Sequence, residues 1–160
     1  MALRIRPAAR ALILSADRHV LLVRFEFPTG TRWALPGGGL ESGETHLDAV
    51  RRELVEEVGL SDVEIGPHIW TREHHVKFFD GKWDGQREHV HLVRLADRFD
   101  PRPAVGWDVL RSEYLHEIRW WAVDELGERT DIVWVPGDLP RLLADLERHG
   151  TPSEPIEVGV

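Results

Sequence analysis

Three carboxylates, Glu53, Glu56 and Glu57, fall in one short stretch, GGLESGETHLDAVRRELVEEVGL, which runs from Gly38 to Leu60. Thr45 fits an N-cap and Asp48 completes a capping box. Gly59 fits the left-handed residue that ends a helix, with Leu60 as the apolar residue after it. The spacing therefore predicts a helix over about 46–58. At about 100° per residue, Leu47, Val50, Leu54 and Val58 share a core-facing stripe. Ala49, Glu53, Glu56 and Glu57 share another face, and like charges so placed repel. An acidic helix face is ordinarily a solvated one. Here no lysine alternates with the glutamates, and the glycine-rich turn LPGGG leads straight into the helix, which lets a backbone or ligand come close. Dense oxygen donors suit a hard cation such as Mg2+, Mn2+ or Ca2+, and one divalent ion relieves the repulsion.

The surrounding elements must hold this helix in place. RALILSADRHVLLVRFEF reads as a hairpin turning at Asp17–His19. PTGTRWALPGGG reads as loop with a short strand at Trp33–Leu35. VEIGPHIWTREHHVKFF reads as a long strand region, DGKWDG as a turn and QREHVHLVRLA as the returning strand. DRFDPRPAVGWDVLRSEY looks irregular. HEIRWWAVDELGE reads as a strand entering a short helix, and DLPRLLADLERHG as a closing helix. The expected fold class is mixed α/β, an α/β/α sandwich with a central mixed sheet. Residues 1–150 are expected to form a single domain and 151–160 a loose C-terminal tail.

The stretch resembles the Nudix box, G-x5-E-x7-R-E-U-x-E-E-x-G-U with U aliphatic. Gly38, Glu44, Arg52, Glu53, Leu54, Glu56, Glu57, Gly59 and Leu60 fill every specified position. The resemblance implies a Nudix fold and hydrolysis of the pyrophosphate bond in a nucleoside diphosphate linked to another group, with Mg2+ or Mn2+ as cofactor. It implies Glu53, Glu56 and Glu57 as metal ligands, with a Gly37–Gly38 backbone carbonyl added, that of Gly37 being the expected one. It implies structural roles for Gly38, Gly59 and a Glu44–Arg52 pair. The catalytic carboxylates are then Glu53 and Glu57, with Glu53 as first choice for the general base. Glu88 is the candidate outside the box, since it alternates with Val90 and Leu92 on an apolar strand face; an ordinary strand-end charge is its plain alternative. Glu117 is a third.

Other residues fit substrate contacts less specifically. Arg32, Arg72, Lys77 and Arg87 could reach phosphates, with solvated surface roles as their default. Trp70, Trp83 and Trp107 could stack on a base, whereas Trp120, Trp121 and Trp134 lie in apolar segments and read as core. Arg32, Trp83 and Arg87 are the expected substrate-binding set. His74, His75, His89 and His91 could suggest zinc, but neighbouring strand residues point to opposite faces, so packing or substrate contact is expected.

The chain of 160 residues has no cysteine and a formal net charge of −8. Thiolate ligands, thiol nucleophiles and disulfides are thereby excluded. The negative surface disfavours duplex nucleic acid and anionic membrane, and an acidic protein acting on phosphates needs a cation or local arginines. The apolar run Ala11–Leu14 is too short for a signal peptide. A small-molecule nucleotide is the expected partner, a homodimer is left open, and the expected setting is the cytoplasm.

Overall fold

The computed structural model describes residues 2–160. Its strands are β1 (Ile5–Ser15), β2 (His19–Phe27), β3 (Gly30–Ala34), β4 (Gly37–Gly39), β5 (His68–His74), β6 (Gly85–Leu95), β7 (Leu115–Ala122), β8 (Trp134–Val135) and β9 (Ile156–Val158). The helices are α1 (His46–Glu53), continued as a π turn over Leu54–Val58, then α2 (Trp107–Ser112), α3 (Val123–Leu126) and α4 (Leu139–His149). The strands make one mixed sheet in the order β8-β3-β2-β1-β6-β5-β9, with β4 joined to β1 and β7 to β2.

Successive residues of β1 face opposite ways. Ala9, Ala11 and Ile13 pack with Ala49, Val50, Leu54 and Val58 of the α1 segment. Leu12 and Leu14 join Leu139, Leu142, Leu143 and Leu146 of α4 in the other core. The sheet is thus covered on both faces, as an α/β/α sandwich. Trp121 lies edge-on to both Trp33 and Trp134 in the second core, at 5.0 and 5.2 Å between ring centroids. Each fully buried aliphatic side chain contributes roughly 1.5–3 kcal/mol, so the Val50, Leu54 and Val58 stripe alone holds the acidic helix firmly on the sheet.

Several expectations change in the fold. The β1–β2 hairpin is paired at Leu14↔Val20 and then parts. Beyond that point β1 takes β4 antiparallel and β2 takes β3, while on their other sides β1 pairs in parallel with β6 along its whole length and β2 pairs with β7. The glycine strand β4 is wedged into this split. Leu47, expected in the core stripe, is 43% exposed; it sits in the first helical turn, and Ala49 rather than Leu47 is buried beside Val50. The long strand expected up to Phe79 stops at His74, because β6 begins only at Gly85 and residues 75–84 turn back on themselves through a Phe78 N to Trp83 O bond. The stretch read as irregular contains α2. Within the tail read as loose, Ile156–Val158 pairs in parallel with Trp70–Arg72 of β5. Among the described residues, no helix is long and apolar enough to cross a membrane.

Candidate active site

The box helix begins and ends as its sequence predicts. Thr45 Oγ1 accepts from the Asp48 amide at 3.1 Å, and the Asp48 carboxylate accepts from the Thr45 amide at 3.1 Å. Gly59 closes the segment at φ 74°, a conformation costly for any residue with a Cβ. Leu60 N then donates back to Leu54 O at 3.0 Å. The π turn between these ends brings Glu57, expected on the acidic face, to 4% exposure.

Strand β4 is glycine at all three positions because both of its faces are occupied. A Cβ on Gly38 would collide with the Glu53 carboxylate, and one on Gly37 or Gly39 with Arg10 or Arg6 on the other side. Carboxylates of the box therefore lie on one face of a bare backbone and arginines of β1 on the other. The Gly37 N–H donates to Glu57 Oε1 at 2.7 Å. The Gly37 carbonyl, expected to face the carboxylates, instead accepts from Arg10 Nη1 at 3.3 Å. The antiparallel pairing of Gly37 with Arg10 turns that carbonyl toward β1.

Arg52 ties the loop to the helix. Its Nε and Nη2 donate to the two oxygens of Glu44 at 2.8 and 2.9 Å, and Nη2 also donates to Gly39 O at 3.0 Å. This paired contact, with the Glu41 amide, holds the Glu44 carboxyl down at about 2. Arg52 Nη1 reaches Glu53 at 2.9 Å and Glu56 at 3.2 Å. Burial raises the Glu53 carboxyl against that pull. The Glu57 carboxyl is pushed up to about 8, chiefly by burial and then by Glu53, with Arg10 and the Gly37 amide opposing.

Gly39, Arg52, Glu53, Glu56 and Glu57 line a cleft of about 200 Å³ together with Arg6 and Glu113. As the side chains stand, no three His, Asp or Glu groups among the described residues converge into a cation cage; the Arg52 guanidinium lies between Glu53 and Glu56 and supplies the positive charge. The donor set still fits a hard divalent cation. It is all oxygen, it carries up to three negative charges, and Glu53 and Glu57 are both largely withdrawn from water.

Glu88 is placed differently from a free base. It is 3% exposed, with Oε1 3.0 Å from Arg10 Nε, 3.3 Å from Arg72 Nη1 and 2.8 Å from Gln86 Nε2. Burial alone would raise its carboxyl, but Arg10 and Arg72 outweigh that and hold it low. Arg72, named as a phosphate contact, is buried in this pair rather than free. Glu117 pairs with Arg24 at 3.0 Å.

The expected substrate set does not meet the cleft. Among the described residues, Arg32, Trp83 and Arg87 are all absent from its lining. Arg32 donates to Thr31 O, Arg87 pairs with Glu157 at 2.7 Å and Glu73 at 3.3 Å, and Trp83 belongs to the turn before β6. Trp70 is 2% exposed and so unavailable for stacking. Besides Arg52, the arginine that does line the cleft is Arg6. Its signal was the same-face spacing of Arg6, Ala8 and Arg10 on β1, which has meaning only once β4 lies alongside.

The histidines divide. His46, His89 and His68 stack face to face at 3.7 and 4.0 Å, with His91 5.6 Å from His68. His74 lies by Phe78 and His75 by Glu73.

Similarity to known proteins agrees with this geometry. A protein called RNA pyrophosphohydrolase from Sulfurovum sp. (strain NBC37-1) is 36% identical over 100 residues, which cover 58% of this chain and 64% of that protein. The chain thus spans a little under two thirds of the length of that relative. The fold matches a MutT NUDIX hydrolase from Burkholderia pseudomallei (TM-score 0.56, 24% identity, 76% of this chain and 85% of that one). It also matches a C. elegans Ap4A hydrolase (TM-score 0.63, 19% identity, 90% and 98%). The family model described as NUDIX domain matches residues 4–143, which takes in β4, the box helix and both arginines behind them: the chain belongs to the NUDIX domain family.

Proposed function

We propose that this protein is a metal-dependent hydrolase that cleaves the pyrophosphate bond of a nucleotide, or of a nucleoside diphosphate linked to another group, by attack of water. The observation that carries this reading is the meeting of Glu53 and Glu57 at the bare backbone of β4, with Glu57 hydrogen-bonded to the Gly37 amide. Glu53, Glu56 and Glu57 would hold Mg2+ or Mn2+, and Arg52 would release Glu53 and Glu56 while keeping its bonds to Glu44 and Gly39 O. The ion, when bound, screens the pyrophosphate charge and acidifies a water.

The chain's own groups do the rest. Glu53, largely withdrawn from water at the cleft, takes the proton from the attacking water. Arg6 faces the same cleft and binds a phosphate oxygen as a planar guanidinium. The Glu44–Arg52 brace keeps the loop and helix in fixed relation, so the carboxylates need little rearrangement. The name carried by the Sulfurovum relative, RNA pyrophosphohydrolase, agrees with pyrophosphate chemistry. A cytoplasmic setting fits a chain without cysteine.

The test is a panel of nucleoside triphosphates, dinucleoside polyphosphates, nucleoside diphosphate sugars and 5′-triphosphorylated RNA. Phosphate or pyrophosphate release is measured with Mg2+, Mn2+ and EDTA. Release from at least one substrate with metal and none in EDTA supports the reading; no release from any of them contradicts it.

A further inference from the structure

Three aromatic rings from separate parts of the chain gather on the surface beside the cleft. Phe27 ends β2, Phe79 lies in the β5–β6 connection, and Tyr114 lies between α2 and β7. Their centroids are 5.5 Å apart for Phe27–Tyr114, 6.0 Å for Phe27–Phe79 and 5.6 Å for Phe79–Tyr114. Phe25 stacks beneath Phe27 at 5.1 Å and itself packs on the core under α1. The group is therefore rooted in the fold. Its outer member, Phe79, is 57% exposed.

Two neighbours join this group to the cleft. Glu113, which lines the cleft, directly precedes Tyr114. Phe78, directly before Phe79, carries the Arg6 guanidinium 5.4 Å from its ring centroid. Arg6 pairs with no carboxylate at ion-pair distance among the described residues; its side chain donates to the neutral Gln86 at 3.2 Å. Tyr114 is also held at φ 70°, which a bulky residue adopts at a penalty of about 1–3 kcal/mol. Its carbonyl accepts from Glu26 N at 2.8 Å and its amide donates to Arg111 O at 3.0 Å. The Tyr114 ring is half-buried and packs against Phe27 and Phe79.

We propose that the exposed ring of Phe79, held at 42° to Phe27 and 62° to Tyr114, is the aromatic platform on which the nucleobase of the substrate stacks, with its phosphates running past Arg6 to the box carboxylates. The proposal rests on the reading of the cleft as a nucleotide site and adds the element that recognises the nucleoside. Stacking accepts any base, because every base has a π face. The larger purine ring covers more of the platform than a pyrimidine does. Substrate choice on this surface is thus by ring area, with the purine preferred.

The experiment is titration calorimetry of the full chain with ADP, UDP and inorganic pyrophosphate, for the wild type, Phe79→Ala and Phe79→Trp. Phe79 is exposed, so its truncation leaves the fold intact; circular dichroism verifies this. The expected result is about tenfold weaker ADP binding in Phe79→Ala, a smaller loss for UDP, unchanged pyrophosphate binding and recovery of ADP binding in Phe79→Trp. Unchanged ADP affinity, or an equal loss for pyrophosphate, overturns the platform. Altered self-association of Phe79→Ala on gel filtration with nucleotide affinity intact assigns the patch to a protein partner and also overturns it. Binding of ADP with the expected losses, but no hydrolysis of any substrate, leaves the platform standing and removes the hydrolase reading alone. A wild type that binds neither ADP nor pyrophosphate overturns both.

Discussion

Arg10 and Glu88 form a buried ion pair, Nε to Oε1 at 3.0 Å, with only 13% and 4% of their side chains exposed. The contact is Coulombic rather than a well-aligned hydrogen bond, since Arg10 Nε is buried without a hydrogen-bond partner among the described residues. Arg10 in turn donates through Nη1 to Leu35 O at 3.0 Å and Gly37 O at 3.3 Å, and Gly37 N holds Glu57. A carboxylate two strands away from β4 thus steadies the strand that positions the box.

Glu88→Gln should therefore act through stability. Removing the charge leaves Arg10 and Arg72 buried and under-compensated, a loss of roughly 3 kcal/mol, measured by urea unfolding. Because the folded-state carboxyl is held below its ordinary value, this contribution is present above the unfolded pKa near 4.3 and is lost as pH falls through the lower folded value. The variant should lack that acid-limb slope. A fall in kcat at unchanged stability would instead make Glu88 the base.

Glu57→Gln should abolish most turnover and raise stability in chelated buffer by about 1–2 kcal/mol. It removes a carboxylate that burial and Glu53 both disfavour, and it keeps an oxygen for the Gly37 amide. Thermal melts in EDTA and in Mg2+ read the two effects separately. A destabilised metal-free variant would show that the charge of Glu57 supports the fold.

Arg52→Ala should lose stability and activity together. It deletes both bonds to Glu44, the bond to Gly39 O and the cation between Glu53 and Glu56. The expected loss is about 2 kcal/mol, read by denaturant unfolding. Loss of rate alone would assign Arg52 a direct part in the reaction.

The histidine stack should weaken the protein in mild acid. Burial and the neighbouring rings lower His89 to about 4, and burial lowers His46 and His68. A folded-state value below the unfolded value near 6.5 means that the neutral rings favour the fold. Stability is therefore complete above about pH 6.5 and declines as pH falls toward about 4. His89→Gln should flatten the decline in melting temperature between these values; an identical profile would remove the stack as its origin.

What was legible in the sequence was local. Thr45, Asp48 and Gly59 act within a turn of their own positions, so the limits of the box helix followed from spacing. The π turn was not legible, and neither was the contact of Glu57 with the Gly37 amide that accompanies it, since that contact joins distant parts of the chain. Arg6 and Arg10 carried no local signal beyond alternation. Their importance comes from the register Ala8↔Gly39 and Arg10↔Gly37, which one chain pattern does not encode. Glu88 stands out in the sequence as a carboxylate on an apolar strand face, and it is buried there. Its partners, Arg10 and Arg72, come from the two strands on either side of β6. Residue type alone points to Arg32, Trp83 and Arg87, and type does not say which end of a strand opens onto a cleft.

The central claim is that Glu53, Glu56 and Glu57 hydrolyse nucleotide pyrophosphate only with a divalent cation among them. The most direct measurement is the initial rate on the best substrate of the panel as Mg2+ is titrated from an EDTA-treated start, for wild type and Glu53→Gln side by side. The account predicts no rate in EDTA, saturable recovery with Mg2+ in the wild type, and at least a hundredfold lower plateau in Glu53→Gln, on the order of a lost general base. An undiminished rate in EDTA, or a Glu53→Gln plateau equal to wild type, would contradict it.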